Sequence, residues 1–130
     1  MTDVPLQRVV YVEDDLDIQF VAKLALEARG LTVLVCSSGH EALEKAKAFE
    51  PDLLLLDVMM PGLDGPATLK AMRLVPALAR VPVVFMTAKV QPQEVEQYKA
   101  MDALGVISKP FDPMTLVAQL QSLWSARHEG

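Results

Sequence analysis

Cysteine is almost absent: Cys36 stands alone in 130 residues. One thiol excludes an intramolecular disulfide and any zinc site built on several cysteines. It ends the apolar run Leu31-Thr32-Val33-Leu34-Val35-Cys36, where a buried, inert thiol is expected. Basic charge is scarce as well. Twelve Lys and Arg stand against 17 Asp and Glu, for a net charge of −5 and a pI near 4.9. No run of Lys or Arg supplies the basic stripe that nucleic-acid binding uses, and an acidic surface disfavours anionic membranes. No apolar stretch approaches the ~18–20 residues of a membrane span. The start, Met1-Thr2-Asp3-Val4-Pro5, has neither the basic nor the apolar region of a signal peptide. A cytoplasmic protein without direct nucleic-acid contact is the expectation. Repeats, linkers and low-complexity segments are also missing, so one domain is expected over residues 1–130, with its core at about 8–126 and no output domain.

What is present is material for a core: 52% apolar residues, 22% charged, and a mean hydropathy of +0.26. Short apolar runs at Val9–Val12, Thr32–Val35, Leu53–Leu56, Val83–Met86 and Val106–Ser108 read as strands. They are nearly continuous rather than alternating, as in a parallel sheet covered on both faces. Helix-period stretches lie between them. The first runs from Leu16 to about Arg29, with Val21, Leu24, Ala25 and Ala28 on its apolar face and Gly30 as its stop. Ser38 and Glu41 stand at capping-box spacing before the second, whose stripe is Ala42, Ala46 and Phe49. The third starts near Asp64, and the fourth spans about Pro92 to Ala103 with a thin apolar edge of Val95, Tyr98 and Met101. The fifth opens at Asp112-Pro113 and carries Leu116, Val117, Leu120, Leu123 and Trp124. Five β-α units imply an α/β fold, a doubly wound open parallel sheet of five strands with five helices.

In such folds ligands bind beyond the carboxyl ends of the strands. Glu13, Asp14 and Asp15 follow the first strand, Asp57 the third, Thr87 and Ala88 the fourth, and Lys109 and Pro110 the fifth. Taken singly, each has an ordinary explanation: an acidic cluster complements a helix dipole, an Asp caps a loop, a Lys is solvated. Taken together, they converge on one edge of the sheet. Crowded carboxylates need a counter-charge, and oxygen ligands with room for water suit Mg²⁺. A carboxylate there can act as nucleophile toward a phosphoryl group, while Lys and Thr stabilise its oxygens as charge develops.

The segments Val12-Glu13-Asp14-Asp15, Leu56-Asp57-Val58-Met59-Met60-Pro61-Gly62-Leu63-Asp64-Gly65, Met86-Thr87-Ala88 and Ser108-Lys109-Pro110-Phe111 resemble the receiver domain of bacterial two-component response regulators, especially the single-domain chemotaxis type. The resemblance extends from about Arg8 to Ala126. It implies the flavodoxin-like strand order 2-1-3-4-5, with Asp57 as phosphoacceptor. Asp14 would be the direct Mg²⁺ ligand and Glu13 a ligand through water, with Asp57 and the Met59 backbone carbonyl completing the protein ligands. Asp15 ranks third among the acidic residues and is expected to cap the helix; Mn²⁺ could substitute for Mg²⁺. Thr87 matches the switch hydroxyl and Lys109 the phosphate-contacting lysine, with a cis Lys109-Pro110 bond. The implied role is signalling rather than turnover: the domain supports its own Mg²⁺-dependent phosphorylation and slow autodephosphorylation. Its partners would be a sensor histidine kinase or histidine phosphotransfer protein and a downstream protein or relay partner, with the chain a monomer or a weak phosphorylation-dependent dimer. The first helix would meet the donor. The fourth helix, fifth strand and fifth helix would meet the target.

Val106 departs from the pattern, because receivers often carry Tyr or Phe three residues before the lysine. Movement of the Thr87–Pro92 loop and the following helix is expected to carry the signal instead. Met59 and Lys89 would border the phosphoryl group, and His40 and His128 are expected at the surface. Three rival readings stand beside this one. A flavin or nucleotide binder would want a Gly/Ser/Thr cradle after the first strand, where this chain has carboxylates. A haloacid-dehalogenase-type phosphatase would place a second Asp where Met59 stands. The third is a receiver-like interaction module that is never phosphorylated.

Overall fold

The protein is described here by a computed structural model covering residues 4–88 and 90–127; Lys89 and His128 lie outside the described residues. Five strands, β1 (Arg8–Val12), β2 (Thr32–Cys36), β3 (Leu53–Asp57), β4 (Val83–Thr87) and β5 (Ala103–Ser108), form one sheet. Five helices connect and follow them: α1 (Leu16–Ala28), α2 (Gly39–Phe49), α3 (Gly65–Arg73), α4 (Pro92–Lys99) and α5 (Leu116–Ala126). All pairings are parallel, in the order β2-β1-β3-β4-β5. This is the doubly wound order that the resemblance implied.

The continuous apolar strands have the cause that parallel pairing requires. Leu53, Leu54, Leu55 and Leu56 of β3 are all fully buried, alternately on the two faces of the sheet. Leu54 and Leu56 join Val10, Val12, Val83 and Phe85 beneath α2, α3 and α4, where Ala42, Leu69, Met72 and Tyr98 cover them. Leu53 and Leu55 join Val9, Tyr11, Val84 and Met86 on the other face, beneath Ala22 and Leu26 of α1 and Leu116, Leu120 and Trp124 of α5. The Trp124 indole also donates to the Val4 carbonyl at 2.7 Å, tying the start of the chain to α5.

Helix ends follow their caps. Asp15 accepts from the backbone N–H groups of Asp17 and Ile18, Ser38 from Glu41, and Asp64 from Ala67. The Glu41 carboxylate reaches the Ser37 N–H rather than that of Ser38, so the box is displaced by one residue. After α1, Gly30 takes φ 88, the left-handed conformation that ends a helix at least cost. Three expectations are corrected. The buried residues of α1 are Ala22 and Leu26, while Val21, Leu24 and Ala28 are exposed. This helix is apolar nearly all round, so periodicity alone could not choose the inward side. The fourth helix stops at Lys99, since Asp102 turns the chain at φ 65 and β5 begins at Ala103, three residues earlier than the apolar run suggested. The fifth begins at Leu116: Asp112 holds a turn, accepting from Met114 through its side chain and from Thr115 and Leu116 through its carbonyl.

Candidate functional site

The strand order reverses between β1 and β3, and the crevice at their carboxyl ends is where an open α/β sheet holds ligands. Strand parity decides what points into it. Tyr11 faces the α1–α5 layer, so Glu13, two residues on, leaves the sheet on the same side. The same step carries Leu55 to Asp57 and Ile107 to Lys109. Phe85 faces the opposite layer, and Thr87 follows it there.

Glu13, Asp14 and Asp57 each present a carboxylate oxygen within 4.8 Å of the others. Glu13 and Asp57 are buried, and Asp14 is open to water. The Lys109 ammonium bridges the buried pair, 2.8 Å from Glu13 Oε1 and 3.2 Å from Asp57 Oδ2. Burial opposes that ammonium, but the hydrogen bonds and charges of Glu13 and Asp57 outweigh it, and its pKa stands above the ordinary lysine value. Burial acts likewise on Glu13: desolvation raises its pKa, Lys109 pulls it down, and Asp57 pushes it up again. The site is thus an anionic pocket held together by one cation. An all-oxygen donor set with one solvent-facing member fits a hard divalent ion, which keeps several of its waters.

The other predicted residues lie around this centre. Asp15 is not in the acidic trio; its side chain is occupied in capping α1. The Met59 side chain is 69% exposed, and its carbonyl belongs to the turn after β3. Thr87 is buried at the end of β4, and its carbonyl accepts from the Lys109 N–H at 2.9 Å, locking the ends of β4 and β5 together. Ala88 is exposed beside it, the Lys109–Pro110 bond is cis, and Val106 is half-buried opposite Phe85 in the β4–β5 register. His40 is exposed at the start of α2.

Three contributors escaped the sequence reading. The fully buried Tyr11 places its hydroxyl 3.4 Å from Glu13 Oε1, and burial first and Glu13 second drive its pKa far upward. Its two-residue spacing from Glu13 was the available signal. Gln19 of α1 donates to the Glu13 carbonyl and, at 2.9 Å, to Ser37 Oγ, joining the loops after β1 and β2. Gly65 opens α3 against the acceptor strand: an added Cβ would lie 2.4 Å from the Asp57 carbonyl oxygen. No side-chain pattern announces that approach.

Comparison with known proteins gives one consistent result. Residues 9–121 match the family described as the response regulator receiver domain. Curated relatives include the transcriptional regulatory protein CseB of Streptomyces coelicolor, 36% identical over 115 residues, covering 88% of this chain and 48% of that protein. They also include the DNA-binding response regulator MtrA of Mycobacterium tuberculosis, 33% identical over 120 residues, covering 92% of this chain and 51% of that protein. The chain therefore spans about half the length of the curated relatives it matches. Among solved structures, the chemotaxis response regulator CheY4 of Vibrio cholerae superposes with a TM-score of 0.84 at 31% identity, covering 91% of this chain and 98% of that one.

Proposed function

The chain belongs to the response regulator receiver domain family, and from that premise we propose that Asp57 accepts a phosphoryl group from a phosphohistidine on a sensor kinase or phosphotransfer protein. The observation that carries this reading is the Lys109 ammonium held between Glu13 and Asp57, with Asp14 within 4.8 Å of both carboxylates. An Asp57 oxygen forms the new bond to phosphorus while the phosphorus–nitrogen bond to the donor imidazole breaks. The leaving nitrogen keeps the electron pair and takes up a proton. Asp14, Glu13, Asp57 and the Met59 carbonyl are the groups that would hold Mg²⁺, or Mn²⁺ in its place; the ion supplies positive charge for the phosphoryl oxygens.

In this reading Lys109 leaves Glu13 for a phosphoryl oxygen, a short path because it already touches Asp57. The Thr87 hydroxyl donates to a second oxygen, and water later returns Asp57 to its free form. The output is a change in the surface that other proteins read, or onward transfer of the phosphoryl group. DNA binding, which belongs to MtrA by its name, is not carried over. Among the described residues no helix is long and apolar enough to cross a membrane, and we propose a cytoplasmic setting.

The donor-docking side is proposed to be α1 with the segment after β5. Leu16, Phe20, Val21 and Leu24 are exposed there, next to a groove bordered by Pro110 and Phe111. Incubation with acetyl phosphate and Mg²⁺, followed by mass spectrometry, tests the reaction. Wild type gains the mass of one phosphoryl group and Asp57→Ala gains none. An equal gain in both would assign the acceptor elsewhere. No gain in wild type would favour an unphosphorylated interaction module.

A further inference from the structure

The helix after Thr87 buries few of its side chains. Of the eight residues of α4, Tyr98 alone is buried and Glu94 and Val95 are half-buried, so one ring supplies the fully buried contact of the helix with the sheet. That ring packs on Phe85 of β4, with centroids 5.0 Å apart and planes tilted by 44°, within the range of a favourable aromatic pair. Phe85 stands two residues before Thr87 in the same strand, so both side chains project toward the α2–α3–α4 layer. Beside Phe85, across the β4–β5 pairing, is Val106. A valine reaches only a short way above the sheet, and Tyr98 covers the strand pair from the helix side.

A second observation shows that this seat is not fully satisfied. Glu94 lies one turn before Tyr98, and its Oε2 is buried without a hydrogen-bond partner among the described residues. Asp64, the cap of α3, is the other carboxylate that acts on the Tyr98 phenol, whose pKa is raised by burial first and then by Glu94 and Asp64. An orphaned carboxylate oxygen favours any arrangement that returns it to water. One ring therefore holds α4 down while one carboxylate opposes it, the balance that a two-position element needs.

We propose that the Phe85–Tyr98 ring pair is the link through which the end of β4, and Thr87 with it, sets the position of α4. Displacement of Thr87 toward a phosphoryl group on Asp57 shifts Phe85 along the same strand. Tyr98 follows its ring partner, and α4 moves with Glu94 carried toward solvent. The inference rests on the phosphorylation reading above and adds the residues that transmit the change.

The two tyrosines of the sequence are Tyr11 and Tyr98, so fluorotyrosine labelling gives two fluorine resonances, assigned by loss of one in Tyr98→Phe. Tyr11 touches Glu13 and reports loading of the site; Tyr98 reports α4. The full chain is labelled and mixed with Mg²⁺ and beryllofluoride, and acetyl phosphate labelling is read separately by mass. Both resonances shift in wild type. In Phe85→Leu the mass gain and the Tyr11 shift persist while the Tyr98 shift is lost. Phe85→Met, which keeps more volume without the ring, replaces that variant if it does not fold. A Tyr11 shift without a Tyr98 shift in wild type overturns the inference and leaves the phosphoacceptor reading standing. So does a Tyr98 shift that survives loss of the Phe85 ring. No mass gain in wild type overturns the phosphoacceptor reading itself, and the inference with it.

Discussion

Lys109 sits 2.8 Å from one buried carboxylate and 3.2 Å from another, with its own side chain 17% exposed. Removing one partner of a buried ion pair costs about 3–5 kcal/mol because the remaining charge is stranded. Here Asp14 faces water and the pocket is open at one side, so Lys109→Ala is expected to destabilise the fold by about 2 kcal/mol, below that range. Saturating Mg²⁺ is expected to recover part of the loss, since an ion bound by the folded state alone stabilises it by mass action. Urea denaturation with and without Mg²⁺ measures both, and equal losses in the two conditions would speak against a cation at this site. The pH dependence has a definite sign. The Lys109 pKa is raised, so its contribution is complete below the ordinary lysine value and disappears as pH rises through the higher one. Cys36 behaves in parallel: burial pushes its pKa up to about 11, so a thiol-alkylating reagent at mildly alkaline pH is expected to label it only when the chain unfolds. The inert thiol was legible in the run that contains it. The Lys109–Glu13 pair was not, because 96 positions separate the partners and only strand register brings them together.

Elements show where sequence signals suffice. Asp15, Ser38 and Asp64 were legible as helix starts, since a cap acts on N–H groups two or three positions away. Asp15→Ala should therefore cost about 1 kcal/mol of stability and leave acetyl phosphate labelling of Asp57 intact. Loss of labelling without unfolding would place Asp15 among the metal ligands instead. Gly65 poses the opposite case. A methyl group there would meet backbone, the Asp57 carbonyl at 2.4 Å and Val58 Cα at 3.0 Å, so neither neighbour can swing aside. Gly65→Ala is expected to cost about 1–3 kcal/mol through overpacking and to slow phosphorylation by displacing the end of β3 from Lys109. Thermal melting and the rate of mass gain give the two readouts. The inward side of α1 illustrates what a one-dimensional pattern cannot carry. Leu16, Phe20, Val21 and Leu24 are as apolar as the buried Ala22 and Leu26, and only the placement of β1 and α5 decides which set turns inward.

At the scale of the molecule, the site lies at one edge of the sheet and the two helical layers divide the remaining tasks. The α1–α5 layer receives Glu13, Asp57 and Lys109 by strand parity, and it leaves Phe20 64% and Leu24 53% exposed. A side-chain cost of that kind is expected where a partner covers it. A donor protein must bring its phosphohistidine to Asp57 while resting on that surface, whereas acetyl phosphate needs no such support. Phe20→Ser combined with Leu24→Ser should therefore slow phosphoryl transfer from a phosphohistidine domain by about 10-fold or more, since each 1.4 kcal/mol of lost contact is a factor of ten. Labelling by acetyl phosphate should be unchanged, because neither residue belongs to the acidic trio. Transfer from a labelled phosphohistidine protein, run beside acetyl phosphate labelling on the same preparation, separates the outcomes. Equal loss from both donors would mean that the substitutions disturb Asp57. Unchanged transfer from both would move the donor surface to another side, and the exposed apolar face of α1 would then need a different occupant.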